Sequence, residues 1–271
     1  MVADLREAGI EAGDVVVVHS ALSRVGWILG GPHEMVRALT EAVGPRGTIV
    51  MPTFSFNLAS WHLPPFDPWR TMSRVGVLTE AFRVAPDVHR THHPTHSVAA
   101  RGRLAQDIVA GPIGYEPLGI GSPLDRVRHA DGKILLMGVG NNRNSTVHLA
   151  ESLAGMPYLT IPFIDGAREE SAWYIDARGA TARHLAIREV PGSSEGFDAL
   201  DAILPERGVA REATIGDAPA WIMGSRELCD VVVELLGEDP LYLLRGANPS
   251  EISLRRRRHM QSQLEKEGNT A

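Results

Sequence analysis

Short apolar runs alternate with helically spaced apolar positions through the first half of the chain. Val15–His19 is a β-branched run that predicts a buried strand. Met35, Val36, Leu39 and Val43 then recur at helical spacing behind Pro32, which opens a helix where its missing N–H costs nothing. Gly44-Pro45-Arg46-Gly47 ends that helix, and Thr48–Met51 predicts a second strand. Val75, Leu78 and Phe82 mark a helix that stops near Pro86, and Val98–Ala100 reads as a strand. Ser122 is a helix cap with Pro123 in the first turn. Lys133–Val139 is the strongest strand signal, followed by a helix over Ser145–Ala154. Further on, Tyr158–Ile164 and His184–Val190 read as strands. Ser193–Leu204 and the Leu228, Val231, Val232, Leu235 stripe read as helices. Strands alternating with helices predict a mainly parallel sheet covered on both faces. The expected organisation is a single domain over 1–246 and a solvated helical tail over 247–271, which carries Arg255–Arg258.

Composition narrows the class. The 271 residues are 44% hydrophobic and 22% charged, the balance of a soluble globular protein with a full core. A net charge of −6 offers no nucleic-acid footprint. Cys229 is the only cysteine, which excludes a disulfide framework within the chain and zinc sites built on several thiols. No apolar run reaches the ~20 residues of a membrane span, and the N-terminal residues carry no secretion-signal pattern. A cytoplasmic protein is expected.

Four segments could carry chemistry. Gly138-Val-Gly140 follows the strongest strand and leads into a helix, and ligands of open α/β sheets bind beyond the carboxyl ends of the strands. On that helix Ser145, His148, Glu151 and Ser152 share one face, which sets an imidazole beside a carboxylate. The same spacing fits a plain solvated face. A dinucleotide reading is weakened because Arg143 replaces the third glycine of G-x-G-x-x-G. The loop Ser20–Gly31 could cradle a phosphate against the following helix, with Arg24 adding charge, or be a plain connection; it lacks the G-K-[ST] ending of an ATPase loop. His89, His92, His93 and His96 form a histidine cluster, but Pro94 breaks any helical spacing that would converge them on a metal. Cys229 fits a packed thiol, and no G-x-S-x-G elbow is present.

Taken together, VVVVHSALSRVGWILGGP, GTIVMPTFSF, the Phe66-Asp67-Pro68 triplet, SRVGVLTEAFR, HHPTHSVAARG, GSPLDRV and LLMGVGNNRNSTVHLAE resemble the aminoglycoside 3-N-acetyltransferase family. They occur in the family's order over roughly residues 13–160, with a weaker match to about 245. The resemblance implies a three-layer α/β/α sandwich and a single catalytic domain. It also implies acetyl-CoA as cosubstrate without a metal, and transfer to the 3-amino group of an aminoglycoside, an antibiotic-resistance activity. Through it, His148 and Glu151 match an H-x-x-E pair, with His148 as the base for the attacking amine. Ser20, Leu22, Ser23, Gly26, Gly30 and Gly31 match the coenzyme A loop, and His93 and Ser97 match an H-P-x-x-S stretch near the same pocket. Thr146 is expected to donate toward the thioester carbonyl. Some members carry an acidic E-N-D stretch that meets the drug. Here it reads Glu189-Val190-Pro191, keeping one carboxylate, so another small amine is an alternative acceptor. Glu189 equally fits a solvated strand end. A non-catalytic coenzyme A-binding or metal-binding protein is a further alternative, and a homodimer is compatible with the sequence.

Overall fold

Val15–Val18 set the architecture, because four consecutive valines in a strand must be buried on both faces. In the computed structural model they form β1 (Val15–Ser20), at the centre of a seven-stranded sheet. The structure describes residues 1–57, 63–111, 117–159, 170–176, 178–187, 194, 196–246 and 251–268.

The core strands β1, β2 (Thr48–Pro52) and β5 (Lys133–Met137) are parallel. β3 (His89–Arg90) and β4 (Val98–Gly102) extend one edge, and β8 (Ala210–Ile215) and β9 (Ala218–Gly224) extend the other, both through antiparallel pairings. Alternate residues of each core strand face opposite layers. Val15, Val17, Val50, Ile134 and Leu136 pack against α4 (Ala105–Val109), α5 (Pro123–His129), α6 (Thr146–Leu153), α7 (Leu200–Glu206) and α8 (Ser225–Glu238). Val16, Val18, Ile49, Met51, Leu135 and Met137 pack against α1 (Val2–Glu7), α2 (Gly31–Val43) and α3 (Val77–Arg83). Each fully buried valine of this kind contributes about 1.5–3 kcal/mol. The α/β/α sandwich is therefore present, with a parallel centre and antiparallel flanks.

Three sequence expectations change. The β8–β9 hairpin was not anticipated, since β8 interleaves Arg211 and Glu212 with alanines and has no long apolar run. Its turn depends on Gly216, whose φ is +58° and where a Cβ would stand 2.3 Å from the Val25 carbonyl oxygen. Tyr158 and Leu159 lie in a 3₁₀ turn instead of starting a strand, and the remainder of that predicted strand lies outside the described residues. The solvated-tail expectation is corrected on one face: the C-terminal helix α9 (Glu251–Gly268) buries Ser253, Arg256 and Met260. A buried tyrosine and leucine on the body gave that helix a surface to dock on, which its arginine-rich sequence hides. The expected strand over His184–Val190 overlaps β7 (Thr181–Ile187), which pairs with β6 (Glu170–Ile175) as a separate two-stranded sheet.

The loop between β2 and α3 is pinned by one arginine. Arg90 donates to the carbonyls of Thr53 (2.6 Å), Thr71 (2.5 Å) and Pro68 (3.2 Å), and to the hydroxyls of Thr53 (3.1 Å) and Ser97 (3.0 Å). Its guanidinium also lies over the Phe66 ring at 4.8 Å. Phe66 in turn exchanges backbone hydrogen bonds with Trp173 and Ile175, which ties the β6–β7 hairpin to this loop.

Two histidines near the carboxyl end of the sheet are held neutral by burial. His19, on β1, is pulled down to about 4. His96, packed edge-on against Phe54 and Phe56, is pulled down to about 3. Both lie below the ordinary histidine value, so between about pH 6.5 and 4 the unfolded chain takes up protons that the folded chain refuses. Their stabilising contribution is present above about pH 6.5 and is lost as pH falls, by up to about 1.4 kcal/mol per pH unit for each histidine. Denaturant unfolding at pH 7, 6 and 5 should show this slope, and His19→Gln should make it shallower.

Candidate active site

β2 and β5 lie on opposite sides of β1, so the loops leaving β1 and β5 diverge from a topological switch point. Ser20 and Met137 are paired in register at the ends of those strands, and Ala21 N–H donates to the Met137 carbonyl at 2.9 Å. A cavity of about 600 Å³ opens there. It is lined by His19 and Ser20 at the end of β1, by Ala21 just beyond it, and by Val139, Asn142, Arg143, Asn144 and Ser145 from the loop after β5, with His148 on α6. Phe54, Phe56, Arg74 and His96 close the other side. Phe56 adopts φ +51°, a left-handed conformation unusual for a bulky residue. Its N–H and that of Ser55 both donate to the Thr95 carbonyl, which fixes the strained turn beside His96.

The second loop is held by polar side chains. Asp201 Oδ1 accepts from the Asn141 backbone N–H (2.9 Å) and from its side-chain amide (2.7 Å). Asn141 Oδ1 accepts from Asn144 Nδ2 at 3.0 Å, and Asn144 Oδ1 accepts from the Thr146 N–H at 3.1 Å. This chain supports the first turn of α6. A Cβ at Gly140 would stand 2.6 Å from Asp201 Oδ2, so this glycine makes room for a carboxylate rather than a pyrophosphate. The loop enters a 3₁₀ turn at Asn141–Arg143, which removes the dinucleotide reading.

α6 brings its polar pair inside. His148 is 11% exposed in its side chain and Glu151 is fully buried, so the solvated-face alternative does not hold. His148 Nδ1 and Glu151 Oε2 are 2.8 Å apart. The Tyr158 hydroxyl donates to Glu151 Oε1, also at 2.8 Å, and burial with the adjacent carboxylate keeps it protonated by pushing it well above the usual tyrosine value. The Phe197 ring packs edge-on against His148 at 4.9 Å. With Nδ1 committed to the carboxylate, Nε2 is left for a partner in the cavity. An imidazole in this setting can accept a proton there while Glu151 steadies the resulting cation.

The structure brings Ser20 and His148 to one cavity, with Glu151 directly behind. Thr146 is fully buried at the start of α6, outside the cavity lining, and its Oγ1 has no hydrogen-bond partner among the described residues. Leu22 and Ser23 sit in the 3₁₀ turn Leu22–Arg24. Gly26, Gly30 and Gly31 follow in the same loop, with φ of +89°, +89° and +61°, and Gly31 begins α2. None of these five lines the cavity. His93 lines a second cavity of about 350 Å³ that shares His96 with the first. Its Nδ1 accepts from the His96 N–H at 3.0 Å. Ser97 is buried and donates to the Thr53 carbonyl at 2.8 Å, so it braces the Arg90 junction. Glu189 lies outside the described residues.

His92 turns to the Ile175 carbonyl (3.1 Å) and the Trp69 ring, and lines the second cavity with His93 and His96. Among the described residues no three His, Cys, Asp or Glu side chains converge as a metal site requires. Cys229 is a buried thiol pushed up to about 12. No helix among the described residues is long and apolar enough to cross a membrane. The sequence reading missed His19, Phe56, Asn141, Asn144, Tyr158 and Asp201. The N-N-R-N run beside the glycines was a usable signal for the asparagines, whereas nothing local linked Asp201 or Tyr158 to them.

A family model described as aminoglycoside 3-N-acetyltransferase matches residues 17–237. Aminoglycoside N(3)-acetyltransferase IV of a Salmonella species is 33% identical over 260 residues, covering 95% of this chain and 93% of that protein. A crystal structure of aminoglycoside acetyltransferase AAC(3)-IVa, a histidine-to-alanine mutant in complex with a gentamicin, superposes with a TM-score of 0.80 at 31% identity, over 94% of this chain and 95% of that one. The binary complex of AAC-IIIb with CoASH superposes with a TM-score of 0.75 at 27% identity, over 92% and 97% of the two chains. Likeness that extends over so much of both sequence and fold makes this chain a member of the aminoglycoside 3-N-acetyltransferase family.

Proposed function

We propose that this chain transfers the acetyl group of acetyl-CoA to the 3-amino group of an aminoglycoside, with His148 as general base. The observation that carries this reading is His148 lining the strand-end cavity with its Nδ1 tied to the buried carboxylate of Glu151. An ammonium has no lone pair, so the acceptor must give up a proton before or during attack. Nε2 of His148 takes it as the nitrogen bonds to the acyl carbon, the carbon–sulfur bond breaks, and the leaving thiolate recovers the proton as free thiol, while Glu151 fixes the tautomer and the ring.

The residues present fit the donor. Arg74 and Arg143 are the charged side chains other than histidine that line the cavity, and the described lining contains no carboxylate. Arg143 is exposed and carries no ion pair among the described residues. Such a surface suits an anionic, phosphate-bearing molecule, and the related AAC-IIIb binds CoASH. Ser20, Leu22, Ser23, Gly26, Gly30 and Gly31 would hold acetyl-CoA, which supplies an acyl carbon activated as a thioester, and His93 and Ser97 would brace the same region from the other side. Glu189 would meet the cationic acceptor, and the relatives' complexes with gentamicin and apramycin support that acceptor class.

Purified protein incubated with acetyl-CoA and gentamicin, kanamycin or apramycin should release free thiol. Absence of release with every aminoglycoside, alongside release with another small amine, would move the acceptor to that amine. His148→Ala should lower kcat by about 100-fold or more, and Glu151→Gln by about 10- to 100-fold with KM little changed. Near wild-type turnover in His148→Ala would remove it from the mechanism. Arg143→Ala should raise KM for acetyl-CoA several-fold, by about 1 kcal/mol of binding, while leaving kcat nearly intact.

A further inference from the structure

The C-terminal helix reaches the back of the active site. Glu151 has no exposed surface, and both its oxygens are engaged, one by His148 and one by the Tyr158 hydroxyl. Behind Tyr158 lies Arg256 of α9, also without exposed surface, its guanidinium 5.5 Å from the centre of the tyrosine ring. Tyr158, Leu244 and Met260 form a small apolar cluster around this contact. The next residue, Arg257, donates to the Leu244 carbonyl and clamps the helix in place. A cation this deep is costly unless it faces compensating groups. Here it faces a π surface whose hydroxyl is bonded to a buried carboxylate.

We propose that Tyr158 and Arg256 are positioning residues that hold the Glu151 carboxylate against His148, so that α9 is part of the catalytic apparatus. The proposal rests on the reading of His148 as the base. Tyr158 fixes the direction of the carboxylate through its second oxygen, and Arg256 supplies positive charge behind the ring. Among the described residues, the other groups around the pair leave this role to α9. His96, across the cavity, is neutral. α8 packs on α6 with Cys229, a neutral thiol, among its buried residues. α5 brings Asp125, which is paired with Arg128 at 2.9 Å. The 3₁₀ turn at Phe197–Ala199 presents the Phe197 ring to His148 and carries Asp198, which is exposed.

The test uses the full chain as Tyr158→Phe, which keeps the ring and removes only the hydroxyl, and as Arg256→Met and Arg256→Lys. Losing the donor or the cation leaves the His148–Glu151 pair more avid for its next proton. The acid limb of the kcat–pH profile should therefore move to higher pH by about half a unit or more in Tyr158→Phe and Arg256→Met. In the same two variants kcat should fall about tenfold, with KM for both substrates within about twofold. Arg256→Lys should restore the limb; if it does not, the charge has no role and that part of the proposal falls. An unmoved limb and unchanged kcat in Tyr158→Phe and Arg256→Met overturn the proposal, even if both variants melt earlier. If Arg256→Met fails to fold, Tyr158→Phe decides alone. Titrating the His148 ring by NMR without substrates gives a second readout: an upward move in the variants supports the relay, and an unmoved ring overturns it. That titration needs no turnover, so a wild-type chain without acetyl transfer would sink the catalytic reading while the relay was still judged separately.

Discussion

Glu151 has no exposed surface, and a carboxylate taken out of water costs several kcal/mol unless its oxygens find partners. That requirement organises much of what surrounds it. One oxygen is met by the imidazole of His148, three residues earlier on the same helix, and the other by the Tyr158 hydroxyl just beyond the helix end. Removing either would strand a buried lone pair, so the geometry of the pair is over-determined. The proposed chemistry uses the same constraint, because an imidazole bonded to a carboxylate on one side keeps its remaining nitrogen for the cavity.

The cavity exists because of where the chain goes after β1 and β5. β1 and β5 stay paired up to Ser20 and Met137 and then send their loops apart. The loop after β5 must be rigid to aim α6, and it has little apolar content to pack. Asp201, Asn141 and Asn144 supply that rigidity by hydrogen bonding, down to the first N–H of the helix. The far wall is built differently. Arg90 gathers three carbonyls from both ends of the loop after β2, and the left-handed turn at Phe56 places an aromatic ring beside His96. Strain of that kind persists only where neighbouring contacts hold it. Here the hydrogen bonds to the Thr95 carbonyl do so.

The two halves of the molecule contribute unequally to this arrangement. Residues 15–154 supply the parallel core and most of the cavity lining. The second half supplies supports from outside: Asp201 under the loop, Phe197 against the imidazole, and α9 behind Tyr158. The β8–β9 hairpin closes the edge of the sheet beside β5, and its Pro219 carbonyl accepts the Gly138 N–H as the active-site loop departs.

The sequence by itself determined the parallel centre of the sheet, the helices that cover it, and the His148–Glu151 pair. All of these are written in local periodicity: doubly buried strands are continuous apolar runs, amphipathic helices repeat every three or four residues, and residues three apart on a helix are neighbours. The ordered motifs also carried the family. Only the tertiary structure decided the rest. β8 is an amphipathic edge strand whose Arg211 and Glu212 blur the strand signal, and β9 lies between it and β5. His96 became a neutral cavity wall because two phenylalanines enclose it, and Ser97 became a brace because Arg90 reaches it. Tyr158 and Asp201 join the site across 7 and 60 residues of chain, and Arg256 reaches Tyr158 from the C-terminal helix. Contacts at such separation leave no period in the sequence, because they are set by which surfaces the folded layers bring together.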